Sequence, residues 1–262
     1  MSEVDDDMLI TDLSIPGTHD SGATHSLFDV AGKCQDVSIK RQLNIGVRFL
    51  DLRLQLVGDE FKIVHSFVDQ NLDLIDVLDD INDFIEKNNE EFIIISIKKD
   101  ADDKNPKVQF EDELVKILKS YSNISLDNSL PKSLGEARGK IYILSRYEME
   151  IGIPAYSGWV DDDSFKLNNM FIQDNYSIDT KEEKIEDIKY TLEYAKTSND
   201  LVLNFTSCYL NDAFPPTYAG TIASIINPWF IEYIDNNDKL GIIVADFITC
   251  KMAQAIYRRN IK

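Results

Sequence analysis

The chain is short of histidine, cysteine and positive charge. Three histidines and three cysteines occur in 262 residues, and 27 Lys and Arg stand against 46 Asp and Glu, a formal net charge of -19. That balance argues against nucleic acid as a partner, because phosphate backbones attract basic surfaces. It also excludes docking on an anionic membrane by charge alone, while leaving room for a local positive pocket. Cys34, Cys208 and Cys250 are far apart and form no Cys-x-x-Cys pair, so their spacing shows neither a disulfide framework nor a zinc motif. Buried, inert thiols are the expectation for them. No apolar run approaches the roughly 20 residues of a membrane helix. There is no Gly-x-Gly-x-x-Gly, no P-loop, no repeat and no low-complexity linker. Residues 1–7 have neither a basic n-region nor an apolar h-region, so a secreted form implies a leader removed from this chain.

Hydrophobic residues make up 44% and charged residues 28%, enough for a sizeable core. Short apolar runs alternate with amphipathic stretches. Strands are expected at Leu13–Ile15, Val47–Val57, Phe61–His65, Phe92–Ile97, Ile141–Leu144, Met170–Gln173, Leu201–Thr206 and Ile242–Ala245. Helices are expected at Leu72–Lys87, Pro106–Ser120, Lys181–Lys196, Tyr218–Asp235 and Thr249–Arg259, and Tyr147–Asn169 reads as a long loop. About eight strands in this length suit a (β/α)8 barrel, and the missing helices make it irregular. No composition break marks a second domain, so one α/β barrel domain over 1–262 is expected.

His19, Arg53, His65, Lys98, Arg146, Asp174 and Asp246 all stand at or just after the end of an apolar run. In a parallel barrel those ends surround one mouth, where active sites form. His19 follows a Pro-Gly-Thr turn, and His65 follows Phe61-Lys-Ile-Val; alone, each is a hydrogen-bonded turn residue, and together they suit an acid and a base. His25 lacks that setting and reads as surface. Asp51 and Arg53, two apart on a strand, share a face and suit a phosphate-binding guanidinium held by carboxylates. Asp246 suits the orienter of a histidine, or a helix N-cap. Lys98, Arg146, Asp174 and Tyr176 together suit a polyol ligand.

Ser14-Ile-Pro-Gly-Thr-His-Asp-Ser, Gly46-Val-Arg-Phe-Leu-Asp-Leu-Arg53, Val64-His65 and Ile95-Ser-Ile-Lys98 resemble the X-domain of bacterial phosphatidylinositol-specific phospholipases C. The likeness is strongest from Thr11 to Asp100 and continues through Arg146, Asp174-Asn-Tyr176 and Ala245-Asp246. It implies an imperfect TIM barrel. It implies His19 as base toward the inositol 2-hydroxyl, oriented by Asp246, and Arg53 as the cation on phosphorus. His65 would be the acid toward the diacylglycerol oxygen, supported by Asp20, with Asp51 in the same cluster. Lys98, Arg146, Asp174 and Tyr176 would hold the ring. The reaction implied is transfer to diacylglycerol and inositol 1,2-cyclic phosphate, and glycosyl-phosphatidylinositol anchors share that chemistry.

Calcium-dependent relatives place a metal ligand where this chain has Arg53, so the resemblance implies the metal-independent branch, with no cofactor. It further implies a secreted monomer working peripherally on membranes. The Cys208–Ala219 loop, with Tyr209, Leu210, Phe214, Pro215, Pro216 and Tyr218, is a candidate hydrophobic rim, joined by Leu27, Phe28 and Trp159. The alternatives are a catalytically weak inositol-phospholipid binding module, which would not need both His19 and His65, and a glycerophosphodiester phosphodiesterase, which uses a carboxylate metal site.

Overall fold

Runs of Ile, Val and Leu buried on both faces form the staves of a curled, mostly parallel sheet. The computed structural model describes residues 1–25, 32–66, 68–211, 219–234 and 239–261. The staves are β1 (Ser14–Thr18), β2 (Phe49–Val57), β3 (Ile93–Lys99), β4 (Ile141–Ser145), β5 (Met170–Gln173), β6 (Leu201–Phe205) and β7 (Gly241–Ala245). Their lateral order is β4-β3-β2-β1-β7-β6-β5, with every neighbouring pair parallel. The expectation of an irregular α/β barrel holds. Among the described residues no backbone ladder joins β4 to β5.

Two layers of core follow from the period-two alternation of strand side chains. Leu50, Leu52, Ile93, Ile95, Ile141, Ile143 and Ile243 pack outward against helices such as Leu74–Lys87, whose Val77, Leu78, Ile81 and Ile85 meet them. Ile15, Phe49, Ile94, Tyr142, Leu144, Ile172, Leu203, Ile242 and Val244 fill the interior. Continuing each inward parity toward the strand ends yields His19, Asp51 with Arg53, Ser96 with Lys98, Arg146, Asp174 and Asp246. The same alternation that fills the barrel floor with hydrocarbon therefore crowns it with polar groups. Gly17 occupies the inward position beneath His19, where a Cβ would lie 3.0 Å from the Phe49 Cβ, so only glycine lets the floor pack there.

One expected strand has a different role. Glu60–His65 is not a stave: it runs antiparallel to β2, with Leu54 opposite Ile63 and Val57 opposite Glu60, and pairs onward with Val68–Asp73. β2 rises past its neighbours and the chain then descends, carrying His65 back to the mouth from above. Arg53 likewise is not at a strand end. It lies inside β2, opposite Lys98 near the end of β3, because β2 overshoots the rim. The stretch expected as loop, 147–169, contains Ile153–Pro154 beside β4 and Ser164–Leu167 antiparallel to β5. No helix among the described residues is long and apolar enough to cross a membrane.

Candidate active site

The turn after β1 is fixed from several directions. His19 N–H donates to Ala245 O, and Gln35 Nε2 donates to the carbonyls of both His19 and Ala245, at 2.8 and 2.9 Å. Gln42 accepts from the Thr18 hydroxyl and donates to Ser21 O. Ser21 Oγ receives no freedom either, donating to Thr18 O while accepting from Asp51 N–H. Asp20 is held at φ +43°, a left-handed conformation that the surrounding bonds impose.

This turn presents the imidazole of His19 with its two nitrogens committed. Nδ1 lies 2.8 Å from Asp246 Oδ1, and Nε2 lies 2.7 Å from Arg53 Nη2. A guanidinium only donates, so Nε2 carries the lone pair and Nδ1 carries the proton given to Asp246. Burial disfavours the charged ring, but the Asp246 carboxylate, aided by its hydrogen bond and by Asp20, outweighs burial and Arg53, and His19 sits above its ordinary value. Phe205 closes the ring edge-on at 6.3 Å between centroids.

Arg53 is the hub. Its Nε is 3.3 Å from Asp51 and 3.4 Å from Asp20, and its Nη1 is 3.5 Å from Asp100. Asp51 is fully buried and accepts from Asp20 N–H and Ser96 Oγ. Burial pushes the Asp51 carboxyl up, yet Arg53, Arg146 and His19 overcome it and hold it well below the usual carboxylate range. Asp20, also fully buried, goes the other way: desolvation dominates Arg53 and the two histidines and raises it.

His65 joins the cluster through Asp20, with Nε2 3.5 Å from Asp20 Oδ2, an ion-pair distance rather than a hydrogen bond. Its Nδ1 has no hydrogen-bond partner among the described residues. Asp100 anchors this side. Its carboxylate accepts the Ser66 N–H at 2.7 Å and pairs with Lys98 at 3.2 Å as well as with Arg53. Burial raises Asp100, but Arg53 and Lys98 prevail and keep it ionised below its ordinary value. Sequence reasoning assigned no role to Asp100; its position two residues after Lys98 was the available signal.

Arg146, Trp159 and Asp174 form the third wall, across the open seam between β4 and β5. The Arg146 guanidinium lies 3.7 Å from the Trp159 ring centroid and 3.6 Å from Asp174, and Trp159 Nε1 donates to Asp174 at 2.9 Å. Trp159 thus packs between the two, with a cation on one face and a carboxylate at its N–H. Tyr176 is placed further out: its hydroxyl donates to Asp161 and its ring lies 5.9 Å from that of Tyr209. Leu210 is partly buried against the core and Tyr209 is exposed. The rim candidates Leu27, Phe28, Phe214, Pro215, Pro216 and Tyr218 lie outside the described residues. The expectation of buried thiols holds for Cys34 and Cys208, whereas Cys250, at the start of the helix Cys250–Tyr257, is exposed.

Two groups bring potential metal ligands within 4.8 Å of one another: His19, Cys34 and Asp246, and Asp20, Cys34 and His65. The mouth also gathers two histidines around one fixed guanidinium–carboxylate pair, His19 at Arg53 and His65 at Asp20, which suits acid–base chemistry on an anionic centre.

Known proteins carry the same arrangement of chain. Residues 13–147, just over half of the sequence, match the family described as phosphatidylinositol-specific phospholipase C, X domain, and the chain belongs to that family. A 1-phosphatidylinositol phosphodiesterase of Staphylococcus aureus (strain Newman) is 30% identical, over 94% of this chain and 87% of its own. One from Listeria monocytogenes is 28% identical, over 99% and 84%. Among solved structures, a mutant of the S. aureus phosphatidylinositol-specific phospholipase C superposes with a TM-score of 0.85 at 26% identity, over 97% of this chain and 96% of that one. The L. monocytogenes enzyme gives 0.81 at 25% identity, over 100% and 97%.

Proposed function

We propose that this chain cleaves phosphatidylinositol by metal-independent intramolecular transfer, releasing diacylglycerol and inositol 1,2-cyclic phosphate. One observation carries the reading: His19 Nε2 holds a lone pair directed at the Arg53 guanidinium, and Asp20, 3.4 Å from Arg53 Nε, lies 3.5 Å from His65 Nε2. His19 Nε2 takes the proton of the inositol 2-hydroxyl, and that oxygen forms a new bond to phosphorus. The bond from phosphorus to the diacylglycerol oxygen breaks, and His65 supplies the proton that oxygen needs. The 2-hydroxyl replaces Arg53 at Nε2, and the freed guanidinium neutralises the phosphorane. Holding the attacking oxygen beside phosphorus is worth effective molarities of about 10⁵ to 10⁸ M. Water then opens the cyclic ester more slowly, with the two histidines exchanging roles.

Asp246 orients His19 and Asp20 supports His65. Asp51 and Asp100 hold Arg53. Lys98, Arg146 and Asp174 hold ring hydroxyls, and Tyr176 guards the outer edge. Arg53, centred among three carboxylates, supplies the charge that a calcium ion would otherwise bring. One domain, acting as a monomer, suffices, since every assigned group comes from one mouth. Access to lipid is peripheral and hydrophobic, through the segment around Tyr209 and Leu210, and export is carried over from the family resemblance. Phosphorus NMR of the products formed from phosphatidylinositol in EDTA tests the reading. The cyclic phosphate should appear first and the acyclic ester later; direct appearance of the acyclic ester, or silence until Ca²⁺ is added, would refute it.

A further inference from the structure

Cys34 sits between the two histidine–carboxylate pairs, its sulfur within 4.8 Å of ligand atoms in both. The pairs are not equivalent. His19 and Asp246 satisfy each other at 2.8 Å, and Arg53 takes the second nitrogen of His19. Asp20 is fully buried, yet neither carboxylate oxygen has a hydrogen-bond partner among the described residues, and the same is true of His65 Nδ1. Its cationic neighbours, Arg53 Nε at 3.4 Å and His65 Nε2 at 3.5 Å, both approach the same oxygen, Oδ2, at ion-pair distance, so a buried carboxylate is left short of close donors and open to a cation. One ligand atom from each of Asp20, His65 and Cys34 lies within 4.8 Å of the other two.

We propose that Asp20, Cys34 and His65 form a binding site for a thiophilic divalent cation of the Zn²⁺ class. A sulfur, an imidazole nitrogen and a carboxylate oxygen are the donors zinc takes, with water in the fourth position. Calcium and magnesium prefer oxygen throughout and gain little from a thiolate. Arg53 is the cation nearest to Asp20, and it keeps Asp51 and Asp100 as partners when Asp20 turns to the metal.

Binding releases the thiol proton to solvent. Burial, then Asp246 and Asp20, push the Cys34 thiol up, with Arg53 opposing and His19 and His65 close by. Metal affinity therefore falls as pH falls. Occupancy ties up His65 and Asp20, so the ion inhibits. That consequence rests on the function proposed above; the binding itself does not.

Cd²⁺ is the probe, because thiolate ligation produces ultraviolet charge-transfer absorption. The exposed Cys250 is first removed as Cys250→Ser. In that background one equivalent of Cd²⁺ should bind with the charge-transfer band. Cys34→Ser should abolish the band, and Asp20→Asn and His65→Ala should each weaken binding by about tenfold or more. Should Cys34→Ser fail to fold, as judged by circular dichroism, Cys34→Ala replaces it. Zn²⁺ should lower turnover by about tenfold or more, reversibly with EDTA, while Ca²⁺ and Mg²⁺ leave it unchanged. Cys34→Ser should keep turnover within about threefold and resist Zn²⁺. A band that survives loss of Cys34, or an affinity indifferent to both Asp20→Asn and His65→Ala, overturns the site. Cd²⁺ bound as expected with undiminished turnover upholds the site and overturns instead the assigned roles of His65 and Asp20.

Discussion

The two histidines of the mouth are held in opposite ways. His19 has both ring nitrogens bonded, its N–H and C=O tied to neighbours, and an aromatic edge against it. His65 hangs on a hairpin, with one nitrogen 3.5 Å from a carboxylate and the other without a hydrogen-bond partner among the described residues. Under the proposed function His19 is the base and must meet a hydroxyl whose place is set by the rest of the bound ring, so its aim is fixed in advance. An acid must follow a leaving oxygen attached to a flexible glycerol, and looser tethering serves that task.

The largest effect that sharpens this contrast is His19→Ala, expected to lower kcat/KM on phosphatidylinositol by about 10⁴ with circular dichroism unchanged. His65→Ala should cost about 10² to 10³ on the lipid. On a soluble inositol phosphodiester with a nitrophenol leaving group, which needs little proton donation, that loss should shrink below about tenfold. Equal losses on the two substrates would break the comparison.

Next comes Arg53→Lys, expected to cost about 10² to 10³ in kcat. An ammonium carries the charge but cannot reach His19, Asp20, Asp51 and Asp100 together. Retention of more than a tenth of activity would show that charge alone suffices.

Smaller again is Asp100→Ala, with a loss of about tenfold. It removes the acceptor for Ser66 N–H beside His65 and a partner of both Lys98 and Arg53. The defect should be milder on the nitrophenol substrate if Asp100 serves the acid side. A loss identical on both would move its role to Arg53.

The pH profile gives the finest comparison. If His19 is the proposed base it acts when neutral, so kcat/KM should rise as pH climbs through a value raised above that of an ordinary imidazole. Asp246→Asn removes the carboxylate that raises it, and the acid limb should move to lower pH. An unmoved limb would detach it from His19. The stability signs differ. The His19–Asp246 pair stabilises most below the ordinary imidazole value, and its contribution is lost as pH rises through the raised one. Asp51 and Asp100 lie below their ordinary value, so their contribution is present above the usual carboxylate range and lost as pH falls. Urea unfolding of wild type and Asp246→Asn across pH should show the two variants converging at high pH.

Much of this site could be read before any coordinates. His19, Asp51, Arg53 and Asp246 announce themselves because β1, β2 and β7 are apolar runs interrupted at one parity, and parity is local information. Gln35 and Gln42 gave no signal because a lone amide in a loop or a short helix is unremarkable, and Trp159 stood only as a rim candidate. Their roles arise where 32–44 folds back over the β1 turn and where 147–169 crosses the seam, contacts made over long sequence separations. His65 was located correctly for an incomplete reason, since a strand pattern reveals neither direction nor partner. Asp100 shows the same limit: a charge just past a strand end is solvated in most proteins, and only the descent of the hairpin puts Ser66 on it.

The seam between β4 and β5 has a consequence for how this pocket changes over evolutionary time. In a closed barrel the girth is set by strand number and shear, so widening the cavity means rebuilding the ladder. Here one side of the wall is a latch of three side chains, Arg146, Trp159 and Asp174. Its span is measured in side-chain length rather than in hydrogen-bond register. A single substitution there changes that span without breaking a ladder hydrogen bond, so the wall can be resized at this point while every stave keeps its register.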